Sequence, residues 1–133
     1  MALGNALIAH GVISRPTQDV DLVTNRQSGV AAAAGPVEAA LRREGLTAAR
    51  QDRTTELADL FPGLGDELAE WHVTAPGGQR TELQLAYFHR SHDPVVMDIG
   101  PVLDLEDLAG SKVCALVSRA YSRDYVDTAA LLA

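Results

Sequence analysis

The sequence predicts an α+β fold in which helices flank a small mixed β-sheet and the C-terminus is helical. Two strand-like runs, 71–74 and 81–88, are separated by the turn-forming stretch 75–79, which contains Pro and two Gly residues, and this arrangement predicts a hairpin. Leu and Val residues around Asp19 and Asp21 predict a further short strand. From residue 105 onward, apolar residues recur every three or four positions, as they do on one face of a helix.

Turn-forming residues set the limits of most predicted elements. Gly11 ends the first helix, and the pair Pro36 and Gly45 begins and ends the second. The small-residue stretch 25–35 either continues that helix or forms a loop, and 55–68 is predicted to be a loop with a short helical turn. In chain order the predicted elements are helix 2–10, strand 19–24, helix 37–44, strand 46–55, strands 71–74 and 81–88, strand 95–98, helix 105–120 and helix 122–132.

The composition is that of an ordinary globular protein. A chain of 133 residues predicts a single domain, residues 1–133. No apolar run approaches the roughly 20 residues that span a bilayer, and no basic leader is present, so we expect a cytoplasmic protein without a membrane partner. The one cysteine, Cys114, is expected to be a buried core thiol. The net charge of −7 argues against coating nucleic acid, although a single RNA end remains a possible ligand.

Asp19 and Asp21 are the strongest candidates for a functional site. Alternate residues of a strand point to the same face, so the two carboxylates share a face while Val20 and Leu22 point to the other. Two adjacent like charges repel each other unless a cation compensates them. Mg²⁺ favours one or two carboxylates together with substrate phosphates, which makes it a natural compensator. The alternative is a strand edge that carries two solvated aspartates.

Two separated motifs resemble nucleotidyltransferases of the DNA polymerase beta superfamily, and in particular the AbiEii-type toxins. The first comprises Gly4-Asn5 followed by the H-G…R-P-T-Q-D-V-D-L pattern of 10–22, and the second is the K…R…R-D-Y-V-D pattern of 107–127. The resemblance implies a minimal nucleotidyltransferase fold that transfers a nucleotide from an NTP, with Mg²⁺ or Mn²⁺. The acceptor would be an RNA end, such as that of tRNA, or a protein hydroxyl. The setting would be a toxin–antitoxin or phage-defence pair, with a cognate antitoxin as partner.

The resemblance also implies roles for individual residues. Lys112 would be a phosphate contact, although a lysine on an apolar helix can also snorkel to solvent. Asp124 would lie near the nucleotide, or would instead cap the last helix. The implied catalytic residues are Asp19, Asp21, Glu82 and Lys112; the metal ligands are Asp19, Asp21 and Glu82; and the nucleotide contacts are Gly4, Asn5, Arg15, Thr17, Lys112 and Asp124.

The sequence departs from the family pattern at the third carboxylate. Gln84 stands where relatives have an acidic residue, and a glutamine cannot accept the proton of an attacking hydroxyl. Glu82 lies two residues earlier on the same strand face and is the candidate substitute. A strand that precedes Gly4 in relatives is expected to be missing, by truncation or by a misplaced start codon. Two alternatives therefore stay open: a degenerate fold that binds a nucleotide or partner without catalysis, and an unrelated α+β interaction domain.

Overall fold

The computed structural model describes residues 4–14, 19–51, 68–118 and 120–133. The chain divides into two compact units. The sheet unit comprises Gln18–His89, and the helical unit comprises Ala2–Thr17 together with Arg90–Ala133. Helices and strands are both present, in agreement with the predicted α+β class. No helix in the described part of the chain is long and apolar enough to cross a bilayer.

The sheet unit is a four-stranded mixed sheet with one helix, and its elements are β1 (Asp19–Thr24), α2 (Gly29–Arg43), β2 (Thr47–Gln51), β3 (Leu68–Thr74) and β4 (Arg80–Tyr87). Its strand order is β1-β4-β3-β2, in which β1 runs parallel to β4 and the other neighbours are antiparallel. The predicted hairpin is confirmed, and Gly78 adopts the positive φ of 86° that its turn requires.

One face of this sheet forms the core of the unit. Side-chain alternation sends the apolar residues of β3 and β4 to the face that packs against Val30 and Ala34 of α2. Trp71 is completely buried there, and its indole Nε1 donates a hydrogen bond of 2.8 Å to Glu38 Oε1 of α2. Complete burial of a large apolar side chain contributes about 1.5–3 kcal/mol to folding. The core therefore occupies this face and leaves the opposite one to polar residues.

Helix α2 begins earlier than the sequence predicted. It starts at Gly29 and runs through Pro36, so Pro36 does not begin it, and of the two alternatives for 25–35 the continued helix is confirmed from Gly29 onward. Alanines at 31–34 have the highest helix propensity and sustain the helix before the proline. Gly29 also lies against β1, where an added Cβ would be 2.7 Å from Thr24 Oγ1. The predicted strand at 46–55 is observed as β2, while its end and the predicted loop at 55–68 lie largely outside the described residues.

The helical unit contains three helices and a short hairpin among its described residues. Leu7 of the first helix and Leu108 of the next are both fully buried. His10 Nε2 lies 2.7 Å from the Leu103 carbonyl oxygen, which ties the end of the first helix to the segment before the next one. The elements are α1 (Gly4–Ala9), β5 (Val95–Met97), β6 (Gly100–Val102), α3 (Leu105–Ser118) and α4 (Ser122–Leu132).

Cys114 is exposed, so the prediction of a buried core thiol is wrong. The reason lies in its position relative to Lys112, which is buried on the same helix. Two residues correspond to a rotation of about 200° around a helix, so Cys114 points away from the side that Lys112 occupies. The apolar neighbours of Cys114 in sequence therefore did not indicate burial.

Candidate functional site

The register between β1 and β4 brings the predicted site residues of the sheet unit together. In this parallel pair Asp19 lies opposite Glu82, and Asp21 lies opposite Gln84. Because these positions alternate with core residues, all four side chains project from the face of the sheet opposite α2. We call this the polar face. Adjacent strands lie about 4.8 Å apart, so each aspartate has a polar neighbour from β4 beside it.

Strand β3 extends the polar face by two residues that the sequence analysis missed. Glu70 lies opposite Gln84, and His72 lies opposite Glu82. Gln84 Nε2 donates a hydrogen bond of 2.7 Å to Glu70 Oε1, while His72 Nδ1 lies 3.8 Å from Glu82 Oε1. The alternation from Ala69 to Val73 is a strand signal that would have included Glu70, but the predicted strand began only at Trp71. A shallow depression in the sheet is lined by Gln51, Glu70, Trp71, His72, Glu82, Leu83 and Gln84.

The polar face thus consists of two rows across the sheet. One row runs Asp21, Gln84, Glu70, and the other runs Asp19, Glu82, His72. Asp19 and Asp21 are each half-buried, whereas the Glu82 side chain is 48% exposed. Charged oxygens at this degree of exposure remain accessible to a ligand from solvent.

The chemistry of Asp19 and Asp21 suits a hard divalent cation. Carboxylate oxygens are the ligands that Mg²⁺ takes from proteins, usually one or two per ion with water and phosphate oxygens completing the shell. Within the described residues, no group of three or more His, Cys, Asp or Glu side chains is placed to hold a metal ion by itself. The two carboxylates of β1 match the number of protein ligands that Mg²⁺ usually takes.

Lys112 of the helical unit makes a different kind of contact from the one implied by the resemblance. Its Nζ lies 2.8 Å from Asp127 Oδ2, and the two side chains are only 2% and 0% exposed. A buried charge needs such a partner because its desolvation costs several kcal/mol. The structure thus assigns Lys112 an ion pair between α3 and α4. Neither the solvent-snorkelling alternative nor a surface position is observed.

The whole described chain corresponds to one protein family. The family model described as "Nucleotidyl transferase AbiEii toxin, Type IV TA system" matches residues 4–133. The chain belongs to the AbiEii family. No curated protein and no solved structure matches it.

The remaining predicted contacts of this AbiEii protein lie in the helical unit or outside the described residues. Gly4 is buried and Asn5 half-buried at the start of α1. Asp124 is fully buried, and its Oδ2 accepts a hydrogen bond of 3.1 Å from the Tyr121 backbone N–H, as the capping alternative predicted. The roles of these residues toward a nucleotide stay predictions. Arg15 and Thr17 lie outside the described residues.

Asp107 of this AbiEii chain is a second residue whose role was not predicted. Its two carboxylate oxygens accept hydrogen bonds of 3.0 Å from the backbone N–H groups of Ser91 and His92. The Ser91 N–H is the largest influence and lowers the pKa of Asp107 below 3.8; partial burial opposes this, and the His92 N–H and ring charge add to the lowering. Asp107 therefore fastens the 91–92 loop to the first turn of α3.

Proposed function

We propose that this protein is a nucleotidyltransferase toxin that transfers a nucleotide from an NTP to a single acceptor hydroxyl, at an RNA end or on a protein. The observation that carries the proposal is the register of β1 and β4. It sets Glu82 beside Asp19 and Gln84 beside Asp21, while the alternation of side chains along β1 keeps the two aspartates on the polar face. Family membership supports the nucleotidyltransferase and toxin–antitoxin setting.

Asp19 and Asp21 would hold Mg²⁺, or Mn²⁺ in its place, and Glu82 would add negative charge beside them. When bound, the ion would neutralise the triphosphate and polarise the phosphoryl oxygens. The two aspartates would orient the triphosphate over the polar face, so that the α-phosphorus is presented to the acceptor. The phosphate contacts implied for Gly4, Asn5, Arg15, Thr17, Lys112 and Asp124 remain predictions from the family resemblance.

The charge of the chain narrows the choice of acceptor. A protein with a net charge of −7 does not attract RNA along its length, because every phosphate would meet a repulsive field. An acceptor that enters through one terminal hydroxyl, such as a tRNA end or a protein side chain, avoids this repulsion. NTPs and such acceptors coexist in the cytoplasm, where we expect the protein and its cognate antitoxin to act.

A second function is favoured by Gln84. The family resemblance implies an acidic residue at this position, and here the Gln84 amide donates a hydrogen bond to Glu70. If no other group accepts the proton of the attacking hydroxyl, the fold would bind a nucleotide or a partner without transfer. The two functions differ in a measurable way, because a binding module retains NTP affinity but forms no covalent product.

The experiment incubates the protein with Mg²⁺, each NTP labelled at the α-phosphate, and either total RNA or a cell protein extract. We expect label to join one acceptor class, and the double variant Asp19→Asn with Asp21→Asn to lose it. A control variant, Asp93→Asn with Asp98→Asn, also removes two negative charges, but from exposed positions outside the polar face, and should transfer the label normally. NTP binding without any transfer would favour the binding module, and neither binding nor transfer would refute both.

A further inference from the structure

Glu70 lies beside Gln84, the position at which the family resemblance implies an acidic residue. We propose that Glu70 accepts the proton of the attacking hydroxyl and so replaces the acidic residue that Gln84 has displaced. The inference rests on the proposed nucleotide transfer and adds a catalytic residue from a strand that carries none of the family motifs quoted above.

The first support is the position of Glu70 along the strands. Asp21, Gln84 and Glu70 occupy successive strands at the same level, so Glu70 shares the row of Asp21. Its Oε1 lies 2.7 Å from Gln84 Nε2, so the carboxylate is one hydrogen bond from the end of the residue 84 side chain. A carboxylate from β3 thus reaches the head group of the residue at position 84, where the family resemblance implies a carboxylate from β4.

The second support is the comparison with Glu82. Glu82 belongs to the row of Asp19. It lies two residues before Gln84 on β4, which is about 6.6 Å along the strand. Its Oε1 lies within 3.8 Å of His72 Nδ1, in that same row. Glu82 is therefore placed to add charge beside Asp19, while Glu70 is the carboxylate in line with Asp21 and Gln84.

The third support is charge complementarity between residues 70 and 84. An acidic residue at 84 beside Glu70 would create a like-charge contact, which is costly. The Gln84 amide instead donates to the Glu70 carboxylate and holds it in place. Glu70 is half-buried and lines the depression in the polar face, so an acceptor group entering that depression can reach it.

The acceptor oxygen forms a bond to the α-phosphorus, and the bond from that phosphorus to the bridging oxygen breaks. Pyrophosphate leaves with the bonding electron pair, and the acceptor hydroxyl proton moves to the Glu70 carboxylate. Glu70 then returns the proton to water. The products are a phosphodiester, or a nucleotidylated protein, and pyrophosphate.

The test compares Glu70→Gln with Glu44→Gln, which removes an exposed carboxylate from the same unit. We expect Glu70→Gln to lower kcat for label transfer by about 10²–10⁴-fold, as loss of a general base does. Its KM for NTP should stay within about threefold, because a proton acceptor contributes little to ground-state binding. Glu44→Gln should transfer like the wild type.

The exchanged variant Glu70→Gln with Gln84→Glu guards against a simple loss of structure. It keeps one amide and one carboxylate across the same hydrogen bond, so its kcat should be at least tenfold higher than that of Glu70→Gln alone. Near-wild-type kcat in Glu70→Gln would overturn the role of Glu70, as would a loss of activity that the exchange does not recover. If either outcome is found while transfer still depends on Asp19 and Asp21, only the role of Glu70 is refuted and the proposed function stands. Absence of transfer by the wild type overturns both.

Discussion

The polar face of the sheet unit and the α3–α4 pair of the helical unit use the same kinds of charged residue in opposite ways. On the polar face, Asp19, Asp21 and Glu82 are like charges that remain half-buried or exposed. Between α3 and α4, Lys112 and Asp127 are opposite charges that are almost completely buried. The buried pair is neutral as a unit, whereas the polar face concentrates negative charge.

This difference separates a structural from a ligand-binding arrangement. A buried ion pair satisfies its own charges and stabilises the packing of two helices only while both members are present. A group of accessible carboxylates is stabilised most when a cation from solvent binds to it. We therefore expect substitutions in the helical pair to change stability, and substitutions on the polar face to change ligand binding and transfer.

The largest effect is expected for Lys112→Ala. Removal of the ammonium leaves Asp127 buried without this partner, and breaking a buried pair costs about 3–5 kcal/mol. Urea denaturation followed by circular dichroism measures the free energy of unfolding. The double variant Lys112→Met with Asp127→Val should lie much closer to the wild type, since apolar residues of comparable volume replace both charges.

The same double variant tests the role that the AbiEii resemblance implies for Lys112. A lysine that contacts the distal phosphates makes the variant bind NTP more weakly, with NMP affinity unchanged. If the folded double variant binds NTP as tightly as the wild type does, and NMP likewise, Lys112 has a structural role alone. If Lys112→Ala lowers the free energy of unfolding by less than about 1 kcal/mol, the ion pair does not contribute substantially to stability.

The next largest effect concerns the metal. A ligand that binds only the native state stabilises it by about 2.7 kcal/mol at a concentration of 100 times its Kd. Mg²⁺ should therefore raise the melting temperature, and Mg²⁺ with NTP should raise it further. Asp19→Asn with Asp21→Asn should abolish the shift, because the carboxylates that would hold the ion are lost. An equal shift in that variant would exclude the proposed site.

Asp107 is expected to give a smaller, pH-dependent effect. Asp107→Asn loses charge-assisted hydrogen bonds, so we expect it to lower the free energy of unfolding by about 1–2 kcal/mol at pH 7. Because folding lowers the pKa of Asp107, its stabilisation is complete above the unfolded pKa of about 3.9 and disappears as pH falls through the folded value. The difference between wild type and variant should thus be present at neutral pH and shrink as the pH falls below about 4. A difference that grows on acidification would contradict this account.

The smallest effect is expected for Gln84→Asp. The change removes the donor to Glu70 and sets two carboxylates side by side, which should cost about 1 kcal/mol of stability. With Glu70 as proton acceptor, the variant gains no transfer activity. A marked rise in transfer, with Glu82→Gln silent in the wild-type background, would instead identify the natural protein as a degenerate nucleotidyltransferase.

Local patterns in the sequence were sufficient for most elements. The strand Asp19–Thr24 has the predicted limits, and its period of two places Asp19 and Asp21 on one face. The hairpin and the last two helices were likewise predicted from turn residues and apolar spacing, with ends that differ by a few residues. These features depend on neighbours in the chain, so the sequence alone determined them.

Tertiary structure decided which charged groups meet. The Glu70–Gln84 contact depends on the register of β3 against β4, and the Lys112–Asp127 pair depends on how α3 packs against α4. Periodicity shows which face of an element a residue occupies, but not which residue of another element lies opposite it. That choice is made by packing and strand register between separate elements, so the partners of Glu70 and Lys112 became visible only in the folded chain.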